Sequence, residues 1–149
     1  EIAASLKKGY VMTIDYGYLS AELYSERRSL GTLLCYNKHK VNGKVYDAIG
    51  EQDITSHVNF SALCHWGHKS GLMYSGQTNL ADFLLALGFK DYLKKTLSVE
   101  EGPDLITKVK KESFITHTLL VNMGPKYKVL IQQKGIGKRD ILGLKLRLS

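Results

Sequence analysis

Cysteine is scarce in this sequence: Cys35 and Cys64 are the only two. That is too few for a disulfide framework, and they read as reduced thiols of a cytosol-like compartment. No apolar run approaches the ~20 residues that cross a bilayer. The first residues, Glu1 to Lys8, contain no apolar stretch of the kind a signal peptide needs. A Walker-type phosphate loop is missing, and Gly135-Ile136-Gly137 lacks a third glycine and reads as a turn. Internal repeats and low-complexity tracts are missing too. Cys64-His65 and His68 share a predicted helix at offsets that could converge on an ion, yet Cys64 falls on the inward face and His65 points elsewhere, so no metal site is expected. A nucleophilic Cys-His pair has only closeness in sequence behind it.

What remains is an ordinary globular composition. The chain has 149 residues, 44% hydrophobic and 23% charged, enough for one domain with a real core. The net charge is +7, but Lys and Arg are spread along the chain and mixed with acids. This pattern gives a solvated basic surface rather than the clustered, aromatic-interleaved stripe of a nucleic-acid binder. There is no initiator Met, and Ile2, Ala3 and Leu6 look like the inner face of a helix already under way, stopped by Gly9. The expectation is a fragment of a longer chain.

Tyr10 to Asp15 is β-branched and apolar between Gly9 and Gly17, as in a strand buried on both faces of a parallel sheet. Gly31 to Tyr36 reads as a short strand, and Asn42-Gly43 as the turn of a hairpin joining Cys35-Tyr36 to Lys44–Tyr46. Asn59 caps a helix with Phe60, Leu63, Cys64 and Gly67 on one face, ended by Gly71. Leu72 to Ser75 is a second strand. Asn79 caps a helix with a Leu80, Phe83, Leu84, Leu87 stripe that stops at Gly88, and Phe89 to Leu97 forms another. Gly102-Pro103-Asp104 opens a short helix that ends in Lys108, Lys110 and Lys111, acids early and bases late. Lys126 to Gln133 alternates and reads as a strand. Helices and strands in this succession predict an α/β fold.

Two groups of residues are candidates for chemistry. Asp15-Tyr16-Gly17 follows the first strand, and ligands of open α/β sheets bind beyond the carboxyl ends of strands. The alternative is a tight turn in which Asp15 bonds its own backbone. The second group is Gly50 to Phe60, the densest polar run. There Asp53, Thr55 and His57 are either site residues or, more plainly, caps and a satisfied buried imidazole.

Several segments then line up with a known family. Ile14-Asp15-Tyr16-Gly17, Arg28-Ser29-Leu30-Gly31-Thr32-Leu33 and Gln52-Asp53-Ile54-Thr55-Ser56-His57-Val58-Asn59-Phe60 occur in this order. Gln77 ahead of Phe83-Leu84, and Met123-Gly124 ahead of Tyr127-Lys128-Val129-Leu130, follow. Over nearly its whole length the chain resembles the MidA-like S-adenosylmethionine-dependent methyltransferases, which include the mitochondrial complex I assembly methyltransferase. The resemblance implies the C-terminal half of a class I, Rossmann-like sheet, with Tyr10–Asp15 as its fifth strand and Leu72–Ser75 as the sixth. Lys126–Gln133 would be an antiparallel last strand, residues 16–58 a long active-site loop, and residues 79–111 a helical insertion. Asn59 stands where the family carries Asp.

By the same resemblance the activity is methyl transfer from S-adenosylmethionine to a protein side chain, an arginine guanidinium, linked to respiratory complex I assembly. Asp15 orients the acceptor nitrogen and Tyr16 lines the pocket. Gly17, Asp53, Thr55 and His57 shape the loop that returns to the helix. The glycine-rich cofactor loop lies in the family's N-terminal half, so this half alone is expected to be inactive. Its partners are that N-terminal half, a protein substrate and, through exposed sheet edges, another copy. The location is cytoplasmic or the mitochondrial matrix. A non-catalytic assembly or binding module on the same fold is the rival reading, separable by cofactor binding to the intact protein. A nucleic-acid methyltransferase, suggested only by the charge, is separable by a salt titration against RNA.

Overall fold

A computed structural model describes residues 1–38, 40–99, 101–102, 104–137 and 139–145. Its centre is a four-stranded sheet of β1 (Gly9–Tyr18), β5 (Val58–Asn59), β6 (Met73–Asn79) and β7 (Tyr127–Lys134), ordered β5-β1-β7-β6. β1 and β5 are parallel, and β7 runs antiparallel to both β1 and β6 between them. This is a mixed α/β sheet with its reversed strand inserted next to the edge strand. Among the described residues a second, smaller sheet joins β2 (Leu34–Asn37), β3 (Lys40–Asn42) and β4 (Asp53–Thr55) in the order β3-β2-β4.

β7 is the strand buried on both faces. Val129 to Gln133 are five consecutive buried residues, and Val129, Leu130 and Ile131 join Phe60 and Cys35 as the most deeply buried side chains described. The sequence pattern assigns such burial to Tyr10–Asp15, and there the structure differs. Tyr10, Met12 and Ile14 are 44%, 51% and 46% exposed. Alternation along a strand sends them to one face, and the helix that packs on that face, α4 (Leu80–Ala86), sits over β7 instead, where Leu80 and Phe83 meet Val129 and Ile131. The opposite face of β1, with Val11 and Thr13, lies against α1 (Ile2–Ser5) and α3 (Phe60–Lys69). In α1 it is Ala3 that is buried, whereas Ile2, expected on the inner face, is 67% exposed.

Capping side chains set the helix starts. The Asn59 Oδ1 accepts from the Ala62 N–H at 3.0 Å, and the Asn79 Oδ1 from the Asp82 N–H at 2.8 Å, each satisfying a donor that the helix leaves free. α3 ends where the Leu72 N–H reaches back to the Gly67 carbonyl, with Gly71 at φ +89°, a left-handed terminator of the kind glycine favours.

Several boundaries move from their expected places. β1 continues three residues past Asp15 because Gly17 and Tyr18 pair with Val58 and Asn59. Residues 16–58 are therefore not a loop: they finish β1, form α2 (Ser20–Leu23) and build the small sheet. Its hairpin reverses between Asn37 and Lys40, with Lys38 at φ +46°. Asn42-Gly43 ends β3 instead, where the Asn42 Oδ1 accepts from the Lys44 N–H at 2.8 Å. The helical region also outruns residue 111. α5 (Phe89–Val99) is followed by α6 (Leu105–Thr116), capped by Asp104, and the chain stays helical, in wider π turns, from His117 to Met123. Pro103, part of the expected helix opening, lies outside the described residues.

Candidate functional site

The carboxyl end of β1 opens into a cavity of about 630 Å³ with an aromatic wall. Tyr16 and Tyr18 reach it from β1, Tyr127 from β7, Tyr36 from β2, and His57 from just before β5. Two facts of register bring them together. Tyr16 and Tyr18 are two residues apart on one strand and so share a face, and Tyr16 sits directly across the ladder from Tyr127. The Tyr16 ring meets Tyr127 edge-on at 5.7 Å and His57 edge-on at 5.3 Å, while Tyr18 stacks on His57 at 5.0 Å. Such edge and offset contacts are the favourable geometries of aromatic pairs.

His57 is fixed from its backbone, whose N–H donates to the Thr32 Oγ1 at 3.2 Å. Its Nδ1 is sealed from solvent and has no hydrogen-bond partner among the described residues. Thr55 also lines the cavity, and its hydroxyl donates to the Leu34 carbonyl at 3.4 Å, tying β4 to β2. Glu22 and Lys128 stand at the cavity and at a neighbouring one of about 670 Å³ across the top of the sheet, which includes Cys64 and Tyr74. Burial pushes the Cys64 thiol up from its ordinary pKa. Burial, and then the nearby Cys64, push the Tyr74 phenol up as well, against a backbone hydrogen bond at Gln77 that pulls it down. A thiol kept in its protonated form is a poor nucleophile.

Of the residues singled out in the sequence, Tyr16, Thr55 and His57 converge on this cavity. Gly17 lies beneath it inside β1, so close to β5 that a Cβ there would run into the Val58 carbonyl and come within 2.9 Å of the Phe60 ring. Asp15 projects to the other face of the strand, and its Oδ1 accepts from the Tyr16 N–H at 2.7 Å. Asp53 is exposed, paired across the small sheet with Tyr36. Tyr18, Tyr36, Tyr127 and Lys128 were not anticipated. The Tyr16-Gly17-Tyr18 alternation is the signal that finds the first of them, once the strand is allowed to run to Tyr18.

A family model described as "Putative S-adenosyl-L-methionine-dependent methyltransferase" matches residues 1–78. Two crystal structures from Burkholderia thailandensis resemble the chain over 98% of its length. One is the native form of an uncharacterized protein, 32% identical with a TM-score of 0.84, of which the match covers 38%. The other belongs to the same superfamily and is bound to S-adenosyl-homocysteine; it is 31% identical with a TM-score of 0.81, and 36% of it is covered. The chain thus spans little more than a third of the length of these relatives. No curated protein matches it.

Proposed function

The chain belongs to this methyltransferase family, and from that premise we propose that it forms the acceptor side of an S-adenosylmethionine-dependent methyltransferase site. The observation that carries the reading is the aromatic cavity at the carboxyl end of β1, where open α/β sheets bind their ligands. The relative of the same fold bound to S-adenosyl-homocysteine supports it. The described residues fit the cofactor in one respect: tyrosine faces suit a sulfonium cation by cation–π attraction. They supply little else for it. The glycine pair Gly135 and Gly137 follows β7 at the far end of the sheet, where Lys134 pairs with Gly9. The cofactor's role when bound is to present a methyl group carrying its own leaving group. The task left to the protein is to position and desolvate the acceptor.

The acceptor we propose is a protein arginine guanidinium, in the service of respiratory complex I assembly. Tyr16, Tyr18 and Tyr127 would hold its cationic plane, an arrangement that stacking on aromatic faces favours. Asp15, on the other face of β1, would act through Tyr16, whose N–H its Oδ1 holds at 2.7 Å, rather than touch the guanidinium. The rest of the cofactor site we assign to the remainder of the domain. The edge of β1 from Gly9 to Tyr16 has no strand paired on its outer side among the described residues. It borders the exposed Tyr10, Met12 and Ile14, so it suits a further strand with a covering helix. Labelled S-adenosylmethionine given to the intact protein with complex I subunits should mark an arginine. Asp15→Asn should lower turnover while the protein stays folded, and unchanged turnover removes Asp15 from the reaction.

A further inference from the structure

We propose that His57 is a catalytic residue of this site and that its Nε2 takes the proton the acceptor nitrogen gives up; this rests on the reading of the cavity as the acceptor side. As the nitrogen forms its bond to the methyl carbon, the electron pair of the broken carbon–sulfur bond stays on sulfur. One hydrogen on that nitrogen must then leave as a proton, and it passes to Nε2 to give an imidazolium.

The cavity contains few groups able to receive it. Phenols of Tyr16, Tyr18, Tyr36 and Tyr127 are feeble bases when protonated, and ammonium groups such as Lys128 have no lone pair to offer. The Glu22 carboxylate stands 3.5 Å from the Arg28 guanidinium and is engaged there. Asp15 is on the other face of β1. His57 remains, with its ring in the wall. Because Nδ1 is sealed from solvent, proton traffic is confined to the ring's other nitrogen. The backbone bond to Thr32 and the ring contacts to Tyr16 and Tyr18 hold the imidazole in place. General base catalysis of this kind contributes roughly 10²–10⁴-fold.

Two measurements decide it. With histidine ring nitrogens labelled, N-acetyl-arginine amide is titrated into the protein. The signals of His57 should shift, and those of His65 and His68, which do not line the cavity, should stay. An unmoved His57 overturns the contact whether or not methyl transfer is ever seen. In the intact methyltransferase, His57→Gln should lower kcat about 10²–10⁴-fold with S-adenosyl-homocysteine binding retained. It should also abolish the acid limb of the kcat/KM pH profile, and imidazole should restore part of the rate to His57→Ala. Among the described residues, the groups around His57 that also titrate or carry charge are Tyr16 and Tyr18 of β1, Tyr36 of β2, Lys126, Tyr127 and Lys128 at and just before β7, and Glu22, Tyr24, Glu26 and Arg28 of the segment after β1. A retained acid limb in His57→Gln therefore belongs to one of them and overturns the proposal. A wild-type protein that shifts His57 with the arginine probe but methylates no guanidinium refutes the methyl-transfer reading instead.

Discussion

The Arg28 guanidinium carbon lies 3.7 Å from the centre of the Tyr18 ring, the same ring that stacks on His57. Arg28 is held there by its own neighbours. Its Nη1 donates to the Glu22 carbonyl at 2.7 Å, and its Nη2 lies 3.5 Å from the Glu22 carboxylate. The segment after β1 is thereby fastened to the aromatic wall by a cation resting on one of its rings. Arg28→Ala should loosen that wall and cost about 0.5–2 kcal/mol, the scale of a cation–π contact. Urea unfolding measures it, and Arg28→Lys should recover only part, because an ammonium cannot make the same planar contact.

Gly17 tests the close approach of β5 to β1. Gly17→Ala places a methyl against the Val58 carbonyl and the Phe60 ring, both parts of rigid elements. Overpacking of this kind costs about 1–3 kcal/mol. The expected result is a lower denaturation midpoint together with a weakened response of His57 to arginine probes, because β5 carries the chain directly on from His57. A midpoint within error of wild type contradicts the packing described.

Asn59 does more than cap α3. Its Oδ1 also accepts from the Ser20 hydroxyl at 3.1 Å, and its Nδ2 donates to the Tyr24 hydroxyl at 3.4 Å. Asn59→Ala removes all of these and should destabilise by about 1–2 kcal/mol. Asn59→Asp keeps both accepted bonds and puts a negative charge at a helix N-terminus, so it should be neutral or gain about 0.3–1 kcal/mol at low salt. Thermal melts of the two variants at the same pH separate these outcomes.

Two titrations carry signs that can be checked. Burial raises the Cys64 thiol pKa, so alkylation by iodoacetamide near neutral pH should run slower than for a free thiol and speed up only at more alkaline pH. Asp104 is held below its ordinary value by its hydrogen bonds to Thr107. A group with a lowered folded pKa gives stability that is full above the unfolded pKa and is lost as pH falls through the folded one. The first turn of α6 should therefore fray on acidification below the usual aspartate range and not on going alkaline, as amide exchange near Thr107 can show.

Much of the architecture is legible in the residues themselves, since Asn59, Asn79, Gly71 and Gly88 announce helix ends by local chemistry. Three of the failures share a cause, because they depend on partners distant in sequence. Tyr10–Ile14 and Val129–Ile131 are both apolar runs, and only the sheet order decides which is enclosed. Asn42-Gly43 is a fine turn dipeptide, but the pairing of β2 with β4 draws the reversal to Asn37–Lys40. After Lys111, residues 112–116 simply complete α6, and only His117–Met123 runs in wider π turns, which no 3.6-residue period anticipates. The tyrosine wall escaped notice because Tyr16 and Tyr127, 111 positions apart, meet only once β7 is laid against β1.

The unpaired side of β1 has a practical meaning for anyone handling the protein. Among the described residues a row of its backbone amides and carbonyls lacks a partner strand beside three half-bare apolar side chains. Such an edge invites any passing strand, so the molecule's behaviour will depend on concentration before it depends on temperature. Light scattering against dilution, rather than a melting curve, is the gauge of whether that margin has found its proper neighbour.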